Sequence, residues 1–467
     1  MKGLVRISSI ICCLGFVLSL CGCQGNCGTN RSIYEVDDPN RSAVESVSVP
    51  KIETPSVVRP DNTQVSGCFS SIDEINASSK NYSKIKISAG YDALQSDVQR
   101  DFYEAVEAEV YVVGSEKNDM GLYLIEKICL DAKMTETDIR VGLSAYKNDH
   151  PEIFWLSNQF SYIDAGTTEV QLYSNLSPDE ISVKSEKLIT AIEYFINKIP
   201  SGLSEFDREL KIHDLLLSGC VYNEEVESTS EDWRPFSIYG ALVEGNAVCE
   251  GYSRAMQYLL SIFGIECNTI NGTGNSNPHQ WNIVKIDGQW YHLDATWDDT
   301  TADEIYYGYF NVSDSVISTD HSSAPLFYQM TDEEICGTRD GSTAELFNVF
   351  LPKCTSDEKN FYNVNAVVYD GTSEECSQRI EQKIIDCIGL GSDVVYLSVD
   401  EGIDYSDAIN SLFYEPPYQF FTCIEAVNSQ YPDTINDENV SILKREAQKI
   451  IEVHIQYKGE DEASEEI

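Results

Sequence analysis

Basic residues are scarce in this chain of 467 residues. It contains 32 Lys and Arg against 77 Asp and Glu, which gives a formal net charge of −45 at pH 7. A surface with so many carboxylates repels phosphate backbones, so nucleic acid is not expected as a partner. The acidity favours solubility but does not indicate a substrate.

The chain also lacks the cysteine spacing of a zinc site. Of its 15 cysteines, those beyond the N-terminal region form no Cys-x-x-Cys pair. Disulfides are compatible with an exported protein, but the sequence assigns none. An acidic group formed by Asp298-Asp299 and Asp303-Glu304 could bind a cation, although exposed acidic loops are common without one. We therefore expect no metal and no other cofactor.

A long apolar run is missing as well. Ile7 to Leu20 is too short for a typical membrane span, and it follows the basic Lys2 and Arg6, so residues 1–22 are predicted to be a signal peptide. The run ends in Leu20-Cys21-Gly22-Cys23, which resembles a bacterial lipobox. This predicts lipidation at Cys23, with Cys21 as second choice, and a lipid anchor in the cell membrane. The body would then lie on the extracytoplasmic face. The alternative is an uncleaved anchor or an ordinary signal peptide.

Changes in composition divide the rest of the chain. Residues 23–83 are polar, without a sustained period, and are predicted to be a flexible tether. We expect an accessory α+β domain over 84–200, a core over 201–330, an α/β accessory domain over 331–458 and an acidic tail over 459–467.

Several elements follow from local patterns. Ser96 with Gln99 predicts a helix start, and a second helix is expected near Gly121 to Ala132. Strands are expected at Phe154 to Tyr162 and, as the last strand of the core, at Tyr306 to Val312. The C-terminal region is predicted to contain a strand–helix–strand unit.

The most informative stretch contains Cys249, His279 and Asp294, three groups that thiolate acyl transfer needs. The Cys supplies the nucleophile, the His takes and returns its proton, and the Asp orients the imidazolium. An apolar set at helical spacing follows Cys249 and ends at Gly264, which places Cys249 at or just before a helix N-terminus. Such a position favours a thiolate anion.

A hairpin is predicted to bring the His and the Asp together. His279 to Ile286 and Gln289 to Thr296 read as strands joined by Asp287-Gly288, a typical two-residue turn. With that turn, Trp281 faces Asp294, and His279 and Asp294 are diagonal neighbours on one face. A three-residue loop could put them on opposite faces.

Three motifs carry a resemblance to a known family: Cys249-Glu250-Gly251-Tyr252, His279-Gln280-Trp281-Asn282 and Trp290 to Trp297. Together they resemble the bacterial transglutaminase-like superfamily, which has a papain-type cysteine-peptidase fold. Further matches in the same order are Leu210 to Asp214, Tyr239 to Val243 and Tyr309 to Ser313. The resemblance covers Phe206 to His321. It implies an α+β core in which a helix carrying the Cys packs on an antiparallel sheet carrying the His and Asp.

The resemblance also implies residue roles. Cys249 would be the nucleophile, His279 the base and acid, and Asp294 the orienting carboxylate. An oxyanion donor is expected from the Cys249 backbone N–H, with Trp233 or Tyr239 as candidates for a second. His292 has a substrate-side or supporting role, or else is a packing residue. Trp281 is a core residue or a wall of the cleft.

Several functions remain open. Attack of Cys249 on a carbonyl gives a peptidase, a deamidase or a cross-linking enzyme, depending on the bond attacked and the acceptor. We favour hydrolysis of peptide or amide bonds, including cell-wall peptides, in a protein or peptide substrate; this preference rests on the resemblance. The alternative of another class is a surface binding module on the same fold.

Overall fold

The structure is a computed structural model that describes residues 5–9, 86–164, 166–226, 232–300, 305–324, 348–432 and 434–458. The described residues up to Asp357 belong to one compact unit and those from Glu358 onward to a second. Cys23, the predicted tether and the acidic tail lie outside the described residues. Of the predicted signal peptide, only Val5–Ser9 is described.

The first part of the first unit is an antiparallel sheet with helices. The strand order is β1-β5-β6-β3-β2, with β4 beside β6. Its strands are β1 (Val5–Ser9), β2 (Val113–Lys117), β3 (Tyr123–Ile125), β4 (Ile128–Leu130), β5 (Leu156–Asp164) and β6 (Thr168–Ser174). Its helices are α1 (Ala89–Ala93), α2 (Asp97–Glu109), α3 (Glu136–Asp149) and α4 (Pro178–Lys198).

Local patterns predicted part of this region. Ser96 caps α2 by accepting a hydrogen bond from the Gln99 N–H, as expected. The helix predicted near Gly121 to Ala132 is wrong, because this segment forms β3 and β4. Within these short strands buried and exposed side chains alternate, a period of two that the clustered apolar residues obscured.

The remainder of the first unit contains the region of the resemblance. Its helices are α5 (Glu205–Gly219), α6 (Cys249–Ile262), α7 (Ala295–Asp298) and α8 (Asp314–Ile317). Its strands are β7 (Val221–Tyr222), β8 (Asn246–Ala247), β9 (Cys267–Gly274), β10 (Asn277–Ile286), β11 (Gln289–Leu293) and β12 (His321–Ser323). Strands β7 and β8 form a parallel pair, and the other four form an antiparallel sheet in the order β11-β10-β9-β12.

Helix α6 is buried along nearly its whole length and packs on β9 and β10. It begins at Cys249 and is followed by Gly264 at φ 81°, the predicted stop. The expected α+β core, with a helix carrying the Cys on an antiparallel sheet, is confirmed.

The β10–β11 hairpin has the predicted two-residue turn. Asp287 and Gly288 have φ values of 48° and 82°, as a type I′ turn requires, and Ile286 pairs with Gln289. Strand β11 ends at Leu293, three residues before the predicted Thr296. It ends there because the Asp294 side chain accepts hydrogen bonds from the Thr296 and Trp297 N–H groups and starts α7.

The strand predicted at Tyr306 to Val312 is wrong. The segment makes one bridge, between Val312 and His292, and Asn311 takes a left-handed φ of 57° that breaks extended structure. The fourth strand of the sheet is instead β12, which pairs with β9.

The second unit has the predicted strand–helix–strand order. Its strands are β13 (Val367–Tyr369), β14 (Val394–Val399), β15 (Ile435–Arg445) and β16 (Ile450–Tyr457), and its helices are α9 (Phe361–Asn365), α10 (Glu374–Leu390), α11 (Tyr405–Ile409) and α12 (Gln419–Gln430). β13 and β14 are parallel, with α10 between them in the chain, and β16 and β15 continue the sheet in antiparallel fashion.

None of the helices in the described ranges combines the length and the apolar composition needed to span a bilayer.

The start of α6 depends on a close backbone approach at Gly251. A Cβ added there would lie 2.5 Å from the Pro235 carbonyl oxygen and 2.7 Å from the Ala247 Cβ. A Gly→Ala change inside a helix ordinarily stabilises by about 1 kcal/mol. We expect Gly251→Ala to lower the free energy of unfolding instead, by about 1–3 kcal/mol, because the site is overpacked.

Urea unfolding followed by tryptophan fluorescence measures this effect, since all five tryptophans lie in the first unit. Gly389→Ala in α10 is the matched control, because a Cβ there would have no atom within 4 Å. The control should leave the fluorescence transition unchanged. An unfolding midpoint of Gly251→Ala equal to or above that of the unmodified protein would contradict the close-approach argument.

Candidate active site

Cys249 is the first residue of α6. The preceding Val248 makes no side-chain cap, so the first N–H groups of the helix and its positive end remain directed at the thiol region. Cys249 itself is buried, with 4% of its surface exposed. This position suits an anionic sulfur.

Side-chain contacts fix α6 against β10 near the thiol. The Ser253 hydroxyl donates to the Gln280 carboxamide oxygen, and the Asn282 amide donates to the Ser253 carbonyl at 2.9 Å. Gln280 and Asn282 lie in β10, directly after His279 and two residues further on. Cys249 acts on the His279 ring through a hydrogen bond and its charge, both of which raise the pKa of His279.

Asp294 holds the other side of that ring. The His279 Nε2–H donates to Asp294 Oδ2 at 2.6 Å, and the carboxylate is fully buried. Asp294 Oδ1 accepts from the backbone N–H groups of Thr296 and Trp297 at 3.0 and 3.2 Å. Because Nε2 is engaged by Asp294, the ring nitrogen left for Cys249 is Nδ1. The structure thus brings the three predicted residues together in the order thiol, imidazole, carboxylate.

Burial and charge act in opposite directions on this pair. Burial disfavours a charged His279, but the charge and hydrogen bond of Asp294, followed by those of Cys249, raise the pKa of His279 to about 10. Burial would also raise the pKa of Asp294, yet His279, with a contribution from His321, holds it below its usual value. The imidazolium and the carboxylate therefore both persist at neutral pH.

A second histidine, His321 at the start of β12, also contacts Asp294. Its Nε2 lies 3.1 Å from Asp294 Oδ2, and its Nδ1 lies 2.6 Å from Asp320 Oδ1. The sequence does not single out this residue, because the predicted last strand is Tyr306 to Val312 and not β12. The signal available was the Asp320-His321 pair at the end of the resemblance.

Trp281 and His292 line the sheet beside the site. The Trp281 ring is nearly parallel to the His279 ring, 6.0 Å away, and its Nε1–H donates to His292 Nδ1 at 3.1 Å. The other nitrogen of His292 lies 3.0 Å from Asp314 Oδ1, and burial lowers the pKa of His292. His292 lies on the same face of the sheet as His279, and the Trp281 ring contacts both of them. A role for either residue in substrate binding stays a prediction.

Trp233 and Tyr239, the candidates for a second oxyanion donor, belong to an aromatic cluster with Phe154. Trp233 and Tyr239 lie 5.6 and 5.3 Å from the Phe154 ring, and the Lys184 ammonium lies 4.4 Å from the Tyr239 ring. These contacts explain the burial of Tyr239, and burial raises its pKa. Their oxyanion role stays a prediction.

The carboxylates of Asp298 and Asp299 bind other residues of the core. Asp298 Oδ1 accepts the Tyr309 N–H at 2.9 Å, and Oδ2 lies 3.3 Å from His213 Nε2. The Tyr252 hydroxyl donates to Asp299. Asp303 and Glu304 lie outside the described residues.

Two side-chain groups in the described ranges have the spacing of a metal site: His279, Asp294 and His321, and His292, Asp314 and Cys354. In the first group, the N–O distance of 2.6 Å is that of a direct hydrogen bond, whereas ligand atoms around tetrahedral zinc lie about 3.3 Å apart.

In the second group, His292 Nδ1 accepts the Trp281 N–H. Its Nε2 therefore carries the proton that faces Asp314. Hydrogen bonds account for the imidazole and carboxylate atoms of both groups.

Residues 195–295 match the family described as the transglutaminase-like superfamily. The chain is also 28% identical over 138 residues to the kyphoscoliosis peptidase of Mus musculus, an alignment that covers 24% of this chain and 21% of that protein. The chain thus spans about a fifth of the length of this curated relative.

Among solved structures, a TGase crystal structure is similar at 14% identity and a TM-score of 0.24, over 38% of this chain and 52% of that chain. A TM-score this low supports no conclusion about function. The family match is independent of it and includes the positions of all three site residues. Residues 195–295 therefore contain a transglutaminase-like domain that carries Cys249, His279 and Asp294.

Proposed function

We propose that this protein is a thiol enzyme that transfers acyl groups through a thioester on Cys249 and hydrolyses peptide or amide bonds. The observation that carries the proposal is that the His279 ring is held by Asp294 through Nε2 and also interacts with Cys249, for which Nδ1 is the ring nitrogen left. A buried imidazole between a thiol and a carboxylate is the arrangement that nucleophilic catalysis by cysteine needs.

The first half of the reaction forms the thioester. Before substrate binds, His279 Nδ1 already holds the proton taken from the Cys249 sulfur, and the thiolate attacks the carbonyl carbon of the substrate. The resulting oxyanion accepts hydrogen bonds at the N-terminus of α6, for which the Cys249 N–H is a candidate donor. The C–N bond then breaks as His279 returns the proton to the leaving nitrogen, and an amine departs.

The second half regenerates the thiol. His279 removes a proton from water, the oxygen attacks the thioester carbon, and the sulfur leaves and is reprotonated. A carboxylic acid is the product. Throughout both halves Asp294 keeps the same Nε2 contact, so the ring stays aligned for each proton transfer.

Water is the acceptor that we favour. The mouse protein that shares the segment is named a peptidase, which supports hydrolysis over cross-linking. A primary amine as acceptor would give a transglutaminase, and water at a Gln side chain would give a deamidase. A non-catalytic surface binding module is the remaining alternative, and the experiments below distinguish these outcomes.

The charge state of the pair can be tested by alkylation of Cys249. Because the pKa of His279 is raised to about 10, its imidazolium persists below that pH and stabilises the thiolate. We expect iodoacetamide to label Cys249 rapidly at acidic and neutral pH, and His279→Ala to remove this labelling while leaving slow, alkaline labelling. Peptide mass spectrometry over a range of pH measures the rate.

Cys129 provides an internal comparison, because it is the exposed thiol among the described free cysteines. Its labelling should be the same in both proteins. Equal rates at Cys249 with and without His279 would contradict a thiolate–imidazolium pair.

The reaction itself can be identified from its products. We expect internal cleavage of peptides from a mixture that contains Gln, with no incorporation of an added primary amine. Cys249→Ala should abolish cleavage, and Cys267→Ala, which changes another buried thiol of the first unit, should retain it. Mass spectrometry of the peptides distinguishes the possibilities.

Amine incorporation would identify a transglutaminase, and conversion of Gln to Glu would identify a deamidase. Either result would overturn hydrolysis of backbone amides. The absence of any product that depends on Cys249 would favour the binding module.

We further propose that the enzyme acts outside the cytoplasm, anchored by a lipid on Cys23, as the N-terminal sequence indicates. Cys23→Ala should abolish incorporation of labelled fatty acid and shift the protein from the membrane fraction to the soluble fraction. Cys21→Ala is the matched control and should leave both unchanged. Lipid incorporation that persists in Cys23→Ala would refute this assignment.

A further inference from the structure

Asp294 is shared by two imidazoles. Its Oδ2 accepts from His279 at 2.6 Å and lies 3.1 Å from His321 Nε2, while Oδ1 is occupied by the two backbone N–H groups of α7. A carboxylate has about four acceptor positions, so each is engaged. His279 and His321 approach from different strands, β10 and β12.

The protonation of His321 follows from its partners. An ionised carboxylate only accepts hydrogen bonds, and His321 faces Asp294 through Nε2 and Asp320 through Nδ1. Both ring nitrogens therefore carry protons. Asp320 is itself held by Tyr309, whose hydroxyl donates to its Oδ2 at 2.7 Å. Burial opposes the charge on His321, but the hydrogen bonds to the two carboxylates outweigh it and raise its pKa.

Aromatic rings hold His321 in place. Its ring centroid lies 4.3 Å from Trp297, 5.0 Å from Trp281 and 5.5 Å from Tyr309, and its side chain is fully buried. The His279 ring lies 5.3 Å away. Charges consequently alternate along Asp320, His321, Asp294 and His279.

We propose that His321 is a positioning residue of the acyl-transfer site, which gives a second hydrogen bond to the same Asp294 oxygen that His279 contacts and so weakens the hold of this carboxylate on the catalytic imidazole. The role rests on the proposed function of Cys249 and His279. His321 acts on His279 through Asp294.

The contact of His321 weakens the hold of Asp294 on the His279 proton. The second donor withdraws part of the Asp294 charge from His279, and the positive charge of His321 opposes the imidazolium. An acid–base catalyst works best when it can both accept and release its proton near the working pH. With Asp294 available to His279 alone, the imidazolium would hold its proton more tightly and would donate it less readily to the leaving group.

Proton and nitrogen NMR of protein labelled in its six histidines tests this role directly. The unmodified protein at neutral pH should show His321 protonated on both ring nitrogens and a downfield His279 Nε2–H resonance. His321→Ala should move that resonance further downfield. His321→Gln keeps a neutral donor, so it should give a smaller shift in the same direction.

His150→Gln is the matched control. His150 is also bonded to a carboxylate, that of Glu152, in the first unit, but it has no part in the site. It should leave the His279 resonance in place. A merely structural role of His321 would lower stability without moving this resonance. If His321→Ala does not fold, His321→Gln decides the question.

A neutral His321, or a His279 resonance that is unchanged in a folded His321 variant, would overturn the proposal. The readout is independent of turnover. A shifted resonance in a protein without Cys249-dependent products would therefore refute the acyl-transfer function and leave the Asp294 arrangement standing.

Discussion

The buried carboxylate of Asp294 is the group on which the site depends. It receives hydrogen bonds from His279 on β10, from His321 on β12 and from two N–H groups at the start of α7. An uncompensated buried charge costs several kcal/mol. The hydrogen bonds that pair the Asp294 charge therefore stabilise the packing of these elements. The contact with His279 also orients the His279 ring. The arrangement of these elements therefore depends on one side chain.

The wider electrostatics have the same character. All six histidines of this acidic chain lie within 3.3 Å of a carboxylate oxygen. At His279 the partner outweighs burial and the pKa rises, whereas at His292 burial prevails and the pKa falls. The two pKa shifts differ in direction because Asp294 is fully buried, whereas Asp314 is 41% exposed and its charge is screened by solvent. The many carboxylates of this chain thus provide hydrogen-bond partners for its histidines. At His279 and His292, how deeply the carboxylate is buried determines whether the pKa of the histidine rises or falls.

Local sequence predicted the parts of the site that depend on short-range rules. The Asp287-Gly288 turn set the hairpin register, and the apolar spacing after Cys249 located the start of α6. Other features of the site were not predicted from these rules. Asp294 leaves its strand because its own carboxylate caps α7, and Tyr306 to Val312 fails to pair because Asn311 turns left-handed. His321 was missed because its role appears only when β12 is placed beside β9. The family resemblance supplied residue roles that local rules could not.

The most direct test of the account is to trap the acyl group on Cys249. An activated ester such as p-nitrophenyl acetate supplies an acyl group without requiring the natural substrate. We predict a rapid burst of nitrophenolate and an acetyl group on the peptide containing Cys249, found by mass spectrometry after acid quenching. The label should be strongly reduced in His279→Ala. An acetyl group distributed over other residues, or labelling of Cys249 that does not depend on His279, would contradict an Asp294-held imidazole that activates this thiol.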